Sequence, residues 1–182
     1  LLNYLKIKQI TLALQRKDLI NQMLTATKSS RINISEEGKT RSIAKIFSNY
    51  IKVGNILCFK GELGVGKTTF IKYLINFLQT KNNQPTTEVL SPTFNLVNEY
   101  HLESLIIKHY DLYRIYDEKE LNSLGIFEDI CKHITLIEWP EIIKNCKINN
   151  IIDLYFEYEE DYNKRFLTIS SNSEISFLDE FQ

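Results

Sequence analysis

A chain of 182 residues has the length of one ordinary domain, and 43% hydrophobic content suits a packed core, which excludes a disordered or fibrous protein. A formal net charge of −1 excludes a globally basic surface for nucleic acid or anionic membrane. No apolar stretch approaches the roughly 20 residues needed to cross a bilayer, and the cysteines Cys58, Cys131 and Cys146 lack C-x-x-C spacing, so a cytoplasmic protein with reduced thiols and no membrane association is expected.

In chain order, Lys6, Lys8, Arg16, Lys17, Lys28 and Arg31 face one acid, Asp18, among scattered leucines and isoleucines. Residues 1–33 are therefore expected to be an N-terminal extension outside the fold, and residues 34–182 to form a single domain. Ile43, Ala44, Ile46, Phe47, Tyr50 and Ile51 follow at helical spacing, with Ser35 as the expected N-cap and Gly54 closing the helix. Ile56 to Phe59 is short and apolar enough for a buried strand. Gly61 to Thr68 then reads GELGVGKT, and Thr69 to Leu78 again carries helical spacing.

GELGVGKT fits the phosphate-loop pattern G-x-x-x-x-G-K-[ST] between a strand and a helix, the context that pattern requires. A match by chance in a chain this long arises on the order of one time in a hundred at ordinary residue frequencies. Glycines at 61, 64 and 66 let the backbone press its N–H groups against phosphate oxygens, and the helix N-terminus adds partial positive charge. In such a loop Lys67 reaches the β- and γ-phosphates, the Thr68 hydroxyl ligates Mg²⁺, and Thr69 lies near the α-phosphate.

Beyond the polar loop Lys81 to Pro85, Val89-Leu90 leads into Ser91-Pro92-Thr93-Phe94. Leu96 to His101 and Leu105 to Tyr110 read as a hairpin about Glu103-Ser104. Glu118 to Leu124 reads as a short helix ended by Gly125, Ile134 to Ile137 as a strand, and Ile142 to Cys146 as a short helical segment. Ile151 to Tyr158 and Arg165 to Ile169 alternate as an antiparallel pair expected at the sheet edge. The fold class expected is α/β: a P-loop NTPase-like, mostly parallel sheet flanked by helices, with antiparallel strands at the edge and ligands at the carboxyl ends of the strands.

That rule places three further polar clusters on the rim that carries Lys67. Asp111 ends one apolar run and Glu138 another, where phosphate-loop enzymes hold Mg²⁺ or position the attacking water. Glu138 is assigned to Mg²⁺ and Asp111 to the water or the metal shell, two roles the residues alone do not separate. Thr93, stiffened by Pro92, suits a switch that senses the γ-phosphate or metal. Trp139 has two readings, stacking near the nucleotide or capping the core, and Arg114 likewise two, an oxyanion contact or a surface salt bridge. The histidines have no metal-ligand spacing with the cysteines, so no zinc site is expected.

GELGVGKTTF at Gly61 to Phe70, SPTFNLVNEY at Ser91 to Tyr100, HYDLYR at His109 to Arg114 and LIEWPE at Leu136 to Glu141 together resemble the TsaE (YjeE) family, in its order and approximate spacing from about Ser35 onward. The resemblance implies a Mg²⁺-dependent ATPase working with the TsaD and TsaB proteins in making the threonylcarbamoyladenosine (t6A) modification of tRNA, with tRNA met through the complex. It implies ATP contacts from Gly64, Val65, Gly66, Lys67, Thr68 and Thr69, Mg²⁺ near Thr68 and Glu138, and Asp111 as needed for hydrolysis. An early segment of the nucleotide pocket corresponds to Ser35 through Thr40, with Glu37 and Thr40 as the candidates, although an extra residue shifts the register. Glu62 stands where the family's loop carries an Asp.

A P-loop small-molecule kinase is the nearest alternative, since it shares the loop and the acids. Tyr113 to Glu128 holds only Arg114 and Lys119 as cations, too few for an Arg-rich lid. A GTPase would carry an Asn/Thr-Lys-x-Asp motif, and Asn163-Lys164-Arg165-Phe166 lacks the acid.

Overall fold

The computed structural model describes residues 27–143, 150–160 and 162–171. Eight strands among them form one sheet: β1 (Thr27–Lys28), β2 (Ile32–Asn33), β3 (Ile56–Lys60), β4 (Val97–Leu102), β5 (Leu105–Asp111), β6 (Ile134–Glu138), β7 (Ile151–Tyr158) and β8 (Arg165–Ser171). The strand order is β1-β8-β7-β3-β6-β5-β4, with β2 also paired to β8. β7, β3, β6 and β5 run parallel, while β4 and β8 add antiparallel pairings at either side. Three helices accompany the sheet: α1 (Glu37–Tyr50), α2 (Lys67–Lys81) and α3 (Glu118–Ser123).

Parallel strands covered on both faces need near-continuous apolar side chains, and β3 and β6 comply: all but Lys60 of their residues are buried. On one face α1 presents Thr40, Ile43, Ala44, Phe47 and Ser48, spaced i, i+3, i+4, i+7 and i+8. It packs with α2 against Leu57, Phe59, Ile107, Leu136, Leu154 and Phe156. The other face meets Leu112, Ile115, Leu121, Ile126 and Ile143.

An aromatic cluster seats the phosphate loop. Phe70 in the first turn of α2 meets Phe47 edge-on at 5.4 Å, Phe59 at 5.7 Å and Phe156 at 6.0 Å between ring centroids. Such pairs contribute about 0.5–1.5 kcal/mol each beyond area burial. They tie the strand before the loop, the helix after it and the neighbouring β7 into one unit.

Several expectations need correction. Ser35 does not cap α1: the cap position is Glu36, with no side-chain cap bond. The Ser35 hydroxyl instead donates to Asn33 Oδ1 and accepts from the Arg165 N–H, since the edge of β8 offers it a partner. The β7–β8 antiparallel pair lies at one side of the sheet as expected, with β7 also continuing the parallel sheet beside β3. β1 and β2 pair with β8 inside the stretch expected to precede the fold, so the domain reaches back to Thr27. The Ser29 N–H donating to the Ile169 carbonyl at 2.8 Å reinforces that edge. Residues 1–26 lie outside the described residues. The helical segment at Ile142 to Cys146 is a 3-10 turn over Pro140–Ile143 as far as the described residues go, and Cys146 lies beyond them.

Burial pushes the Cys58 thiol up to about 12, with the nearby Asp153 carboxylate adding to the shift and Lys60 opposing it. The thiolate is the reactive form, so Cys58 should stay inert. With Cys131 and Cys146 changed to Ser, the native protein is expected to resist maleimide at about pH 8 and to react promptly once unfolded. Stoichiometric native labelling would contradict a buried thiol there.

Candidate active site

Between β3 and α2 the chain turns through three glycines in left-handed conformations, Gly61 (φ 134°), Gly64 (φ 76°) and Gly66 (φ 115°). Gly66 occupies the N-cap position of α2, so the loop delivers its N–H groups to the positive end of a 15-residue helix. Lys67, only 4% exposed, curls back over this loop. Its Nζ donates to the Gly61 and Glu62 carbonyls, both at 2.8 Å, and sits 3.8 Å from the centre of the Trp139 ring. An ammonium has three N–H groups, so one remains for a ligand oxygen. Burial pulls the Lys67 pKa below the ordinary lysine range, against the carboxylates of Glu138, Asp111 and Glu141, which favour its charge.

The carboxyl ends of β5 and β6 supply the opposing wall. Their register sets Asp111 beside Glu138, and both side chains are almost fully buried. The Thr68 hydroxyl donates to Glu138 Oε1 at 3.0 Å and to Oε2 at 2.9 Å. From the core side, His109 Nε2 approaches the same Oε1 at 2.9 Å. Asp111 Oδ2 accepts from Ser91 Oγ at 2.5 Å and Thr93 Oγ1 at 2.8 Å, and its Oδ1 accepts from the Tyr113 N–H at 3.0 Å. The Ser91–Thr93 segment is thereby tied to the tip of β5.

Two non-glycine residues beside the cavity adopt left-handed backbone, a conformation that costs on the order of 1 kcal/mol or more and gathers at functional sites. Leu96 (φ 64°) closes a turn in which its N–H meets the Pro92 carbonyl and its carbonyl accepts from the Asp111 N–H. Trp139 (φ 57°) turns the chain after β6 so that its N–H reaches the Phe59 carbonyl at 3.2 Å. The Trp139 ring leans on Tyr113, with centroids 4.9 Å apart.

One cavity of about 280 Å³ gathers these groups, lined by the loop and by Lys67, Thr68, Asp111, Glu138 and Trp139 among others. The model of the family described as "Threonylcarbamoyl adenosine biosynthesis protein TsaE" matches residues 34–166. The chain belongs to the TsaE family. A Rickettsia felis TsaE, described as a tRNA threonylcarbamoyladenosine biosynthesis protein, is 36% identical over 148 residues, covering 81% of this chain and 84% of that one. The Aquifex aeolicus TsaE is likewise 36% identical, over 75% of this chain and 92% of its own. In fold, the chain is similar to the crystal structure of YdiB from Bacillus subtilis, with a TM-score of 0.62 at 22% identity, over 86% of this chain and 94% of that one.

In this TsaE-family chain, Gly64, Gly66, Lys67, Thr68, Thr69, Thr93, Asp111, Glu138 and Trp139 meet around the one cavity. Val65 stands behind it, 1% exposed in the core. Glu37 and Thr40 are not in its lining: the Glu37 carboxylate accepts from the Tyr73 hydroxyl on α2, and Thr40 lies on the buried face of α1. Arg114 also stands apart, its guanidinium 5.0 Å from the centre of the exposed Phe94 ring. Sequence reasoning missed Ser91, Tyr113 and His109. A signal for His109 was present, because His and Asp two apart on a strand point to the same face, so an acid at 111 facing the site carries 109 with it.

A hard cation fits this site by the chemistry of its donors. Among the described residues no three His, Cys, Asp or Glu side chains form a cage. Mg²⁺ needs none, since it takes one or two protein oxygens together with phosphate oxygens and waters. The Thr68 hydroxyl and the Glu138 carboxylate are such a pair.

Proposed function

We propose that this protein binds and hydrolyses ATP with Mg²⁺, in the cytoplasm, as a member of the machinery that makes threonylcarbamoyladenosine in tRNA, acting with TsaD and TsaB proteins. The observation that carries the reading is the placement of Lys67 and Thr68 of the phosphate loop against two strand-end carboxylates in one cavity. Family membership supports the tRNA-modification setting.

In hydrolysis a water oxygen bonds to the γ-phosphorus while the bond to the β–γ bridging oxygen breaks, giving ADP, phosphate and a proton. The loop N–H groups and the Lys67 ammonium hold the phosphate oxygens and stabilise charge that builds during transfer. Thr68 and Glu138 are the residues that would hold Mg²⁺, which when bound would supply positive charge to offset that of the phosphate oxygens. Asp111 holds the Ser91 and Thr93 hydroxyls, so a γ-phosphate competing for Thr93 would loosen that segment and change the surface offered to partners. Val65 is assigned to the loop backbone that faces ATP, and Trp139 walls the phosphate end of the cavity.

Phosphate release and calorimetric binding, measured with ATP and with GTP, alone and with a TsaD–TsaB pair, test the reading. ATP-selective binding that needs Mg²⁺, with turnover raised by the pair, is expected. Turnover dependent on an added small-molecule acceptor would favour a kinase instead, and no heat of binding for ATP or a non-cleavable mimic would end the proposal.

A further inference from the structure

The Glu138 carboxylate is gripped from two sides. From the cavity the Thr68 hydroxyl approaches both carboxylate oxygens at nearly equal distance, so that contact does not choose between them. From the core, His109 Nε2 meets Oε1 alone at 2.9 Å. His109 is 0% exposed on β5, one pleat back from Asp111, and its register partner on β6 is Leu136, two residues before Glu138. The imidazole therefore reaches diagonally across the strand pair to an acid that is itself 3% exposed.

The other ring nitrogen, Nδ1, is buried and has no hydrogen-bond partner among the described residues. An ionised carboxylate only accepts, so the hydrogen of a neutral ring belongs on Nε2, and the bare nitrogen is the one left alone. Unpaired buried acceptors are tolerated better than unpaired N–H groups. Yet a half-satisfied imidazole in an apolar interior is costlier than a leucine of similar size. The polar contact of the ring is with the Glu138 carboxylate, which is what the imidazole supplies that a leucine would not.

We propose that His109 is a positioning residue for Glu138: its Nε2–H pins Oε1 from the core and keeps the carboxylate turned toward the cavity when the Thr68 hydroxyl leaves it for a ligand. This rests on the cavity being the ATP site. Asp111 has three donors of its own from Ser91, Thr93 and Tyr113. Among the described residues Glu138 has two, and Thr68 is the one engaged by the metal in the proposed reaction, so His109 is the donor that persists.

The test compares the wild type with His109→Leu, which removes the donor, and His109→Gln, whose amide donates at similar reach. ATP affinity is measured by calorimetry with and without Mg²⁺, alongside kcat, KM and thermal melting. His109→Leu should keep its Mg²⁺-free affinity within about twofold while losing about tenfold or more of the gain that Mg²⁺ provides and a similar factor in kcat, and His109→Gln should recover most of both. Full Mg²⁺ gain and kcat in His109→Leu overturns the proposal, as does an equal loss in both variants with lowered melting temperatures, which signals packing alone. A further measurement needs no His109 variant. Proton NMR of the wild type should show an imidazole N–H protected from exchange, and Glu138→Gln should shift it; a ring signal that ignores Glu138→Gln overturns the proposal. Should the wild type bind no ATP, the function reading fails, and this NMR response alone decides whether His109 holds the acid.

Discussion

Lys67→Ala is expected to abolish ATP turnover, lowering kcat by about 10²–10³-fold or more, the range seen when one preorganised charge-stabilising donor is removed. The physical reason lies in the surroundings of Nζ. The ammonium is almost wholly withdrawn from water, held by two loop carbonyls at 2.8 Å and faced by the Glu138 and Asp111 carboxylates, which favour its charge. A charge in such a place needs little reorganisation as a phosphoryl group moves. Its loss also removes the one protein cation among the described residues that faces both strand-end acids across the cavity, leaving Mg²⁺ alone to offset them. Lys67→Arg should not rescue, because a planar fork does not replace a compact ammonium threaded between two carbonyls. Phosphate release measured beside thermal melting checks both points, and undiminished turnover in Lys67→Ala rules out the assignment.

Gly61→Ala is expected to damage the fold itself. A Cβ built on Gly61 falls 2.2 Å from the Phe156 carbonyl oxygen and 3.1 Å from the Phe156 carbonyl carbon, at a φ of 134° that side chains rarely adopt. The obstacle is backbone, so no rotamer change relieves it. β3 would have to part from β7 where Lys60 pairs with Tyr155, opening the Phe59–Phe156 contact beneath. A loss of about 3 kcal/mol or more is expected, which for a domain of this size is a fall in melting temperature of about 6–12 °C. Gly66→Ala is the control, because nothing lies within 4 Å of its Cβ and only the backbone conformation resists. Equal melting of Gly61→Ala and the wild type would contradict the close approach of loop and β7.

Local patterns carried much of the fold. The strand, phosphate loop and helix were legible because apolar spacing and glycine positions are local, and β3 and α2 fall where they were expected. The hairpin about Glu103-Ser104 was legible for the same reason. What escaped depended on partners distant in sequence. Ser35 has every local attribute of a helix cap, yet its hydroxyl serves Arg165, 130 residues away. β1 and β2 are two residues long and exist as strands only because β8 presents an unpaired edge. Within the site, Asp111 and Glu138 were readable as strand-end acids, whereas His109 was hidden by its own burial: a lone histidine in an apolar run resembles core until the carboxylate beside it is placed. Glu37 and Thr40 rested on family register, and the bond from Tyr73 holds the Glu37 carboxylate against α2, outside the cavity lining.

Trp139 is the one tryptophan of the chain, and its ring stands against the Lys67 ammonium and the Tyr113 ring. Ultraviolet emission excited at the red edge of the indole band, where the ten tyrosines do not absorb, therefore originates at a single point, the wall of the cavity. A cation drawn from that ring toward an arriving anion changes the local field on the fluorophore. The protein thus carries its own optical gauge of occupancy, readable in a stopped-flow cell without any attached dye.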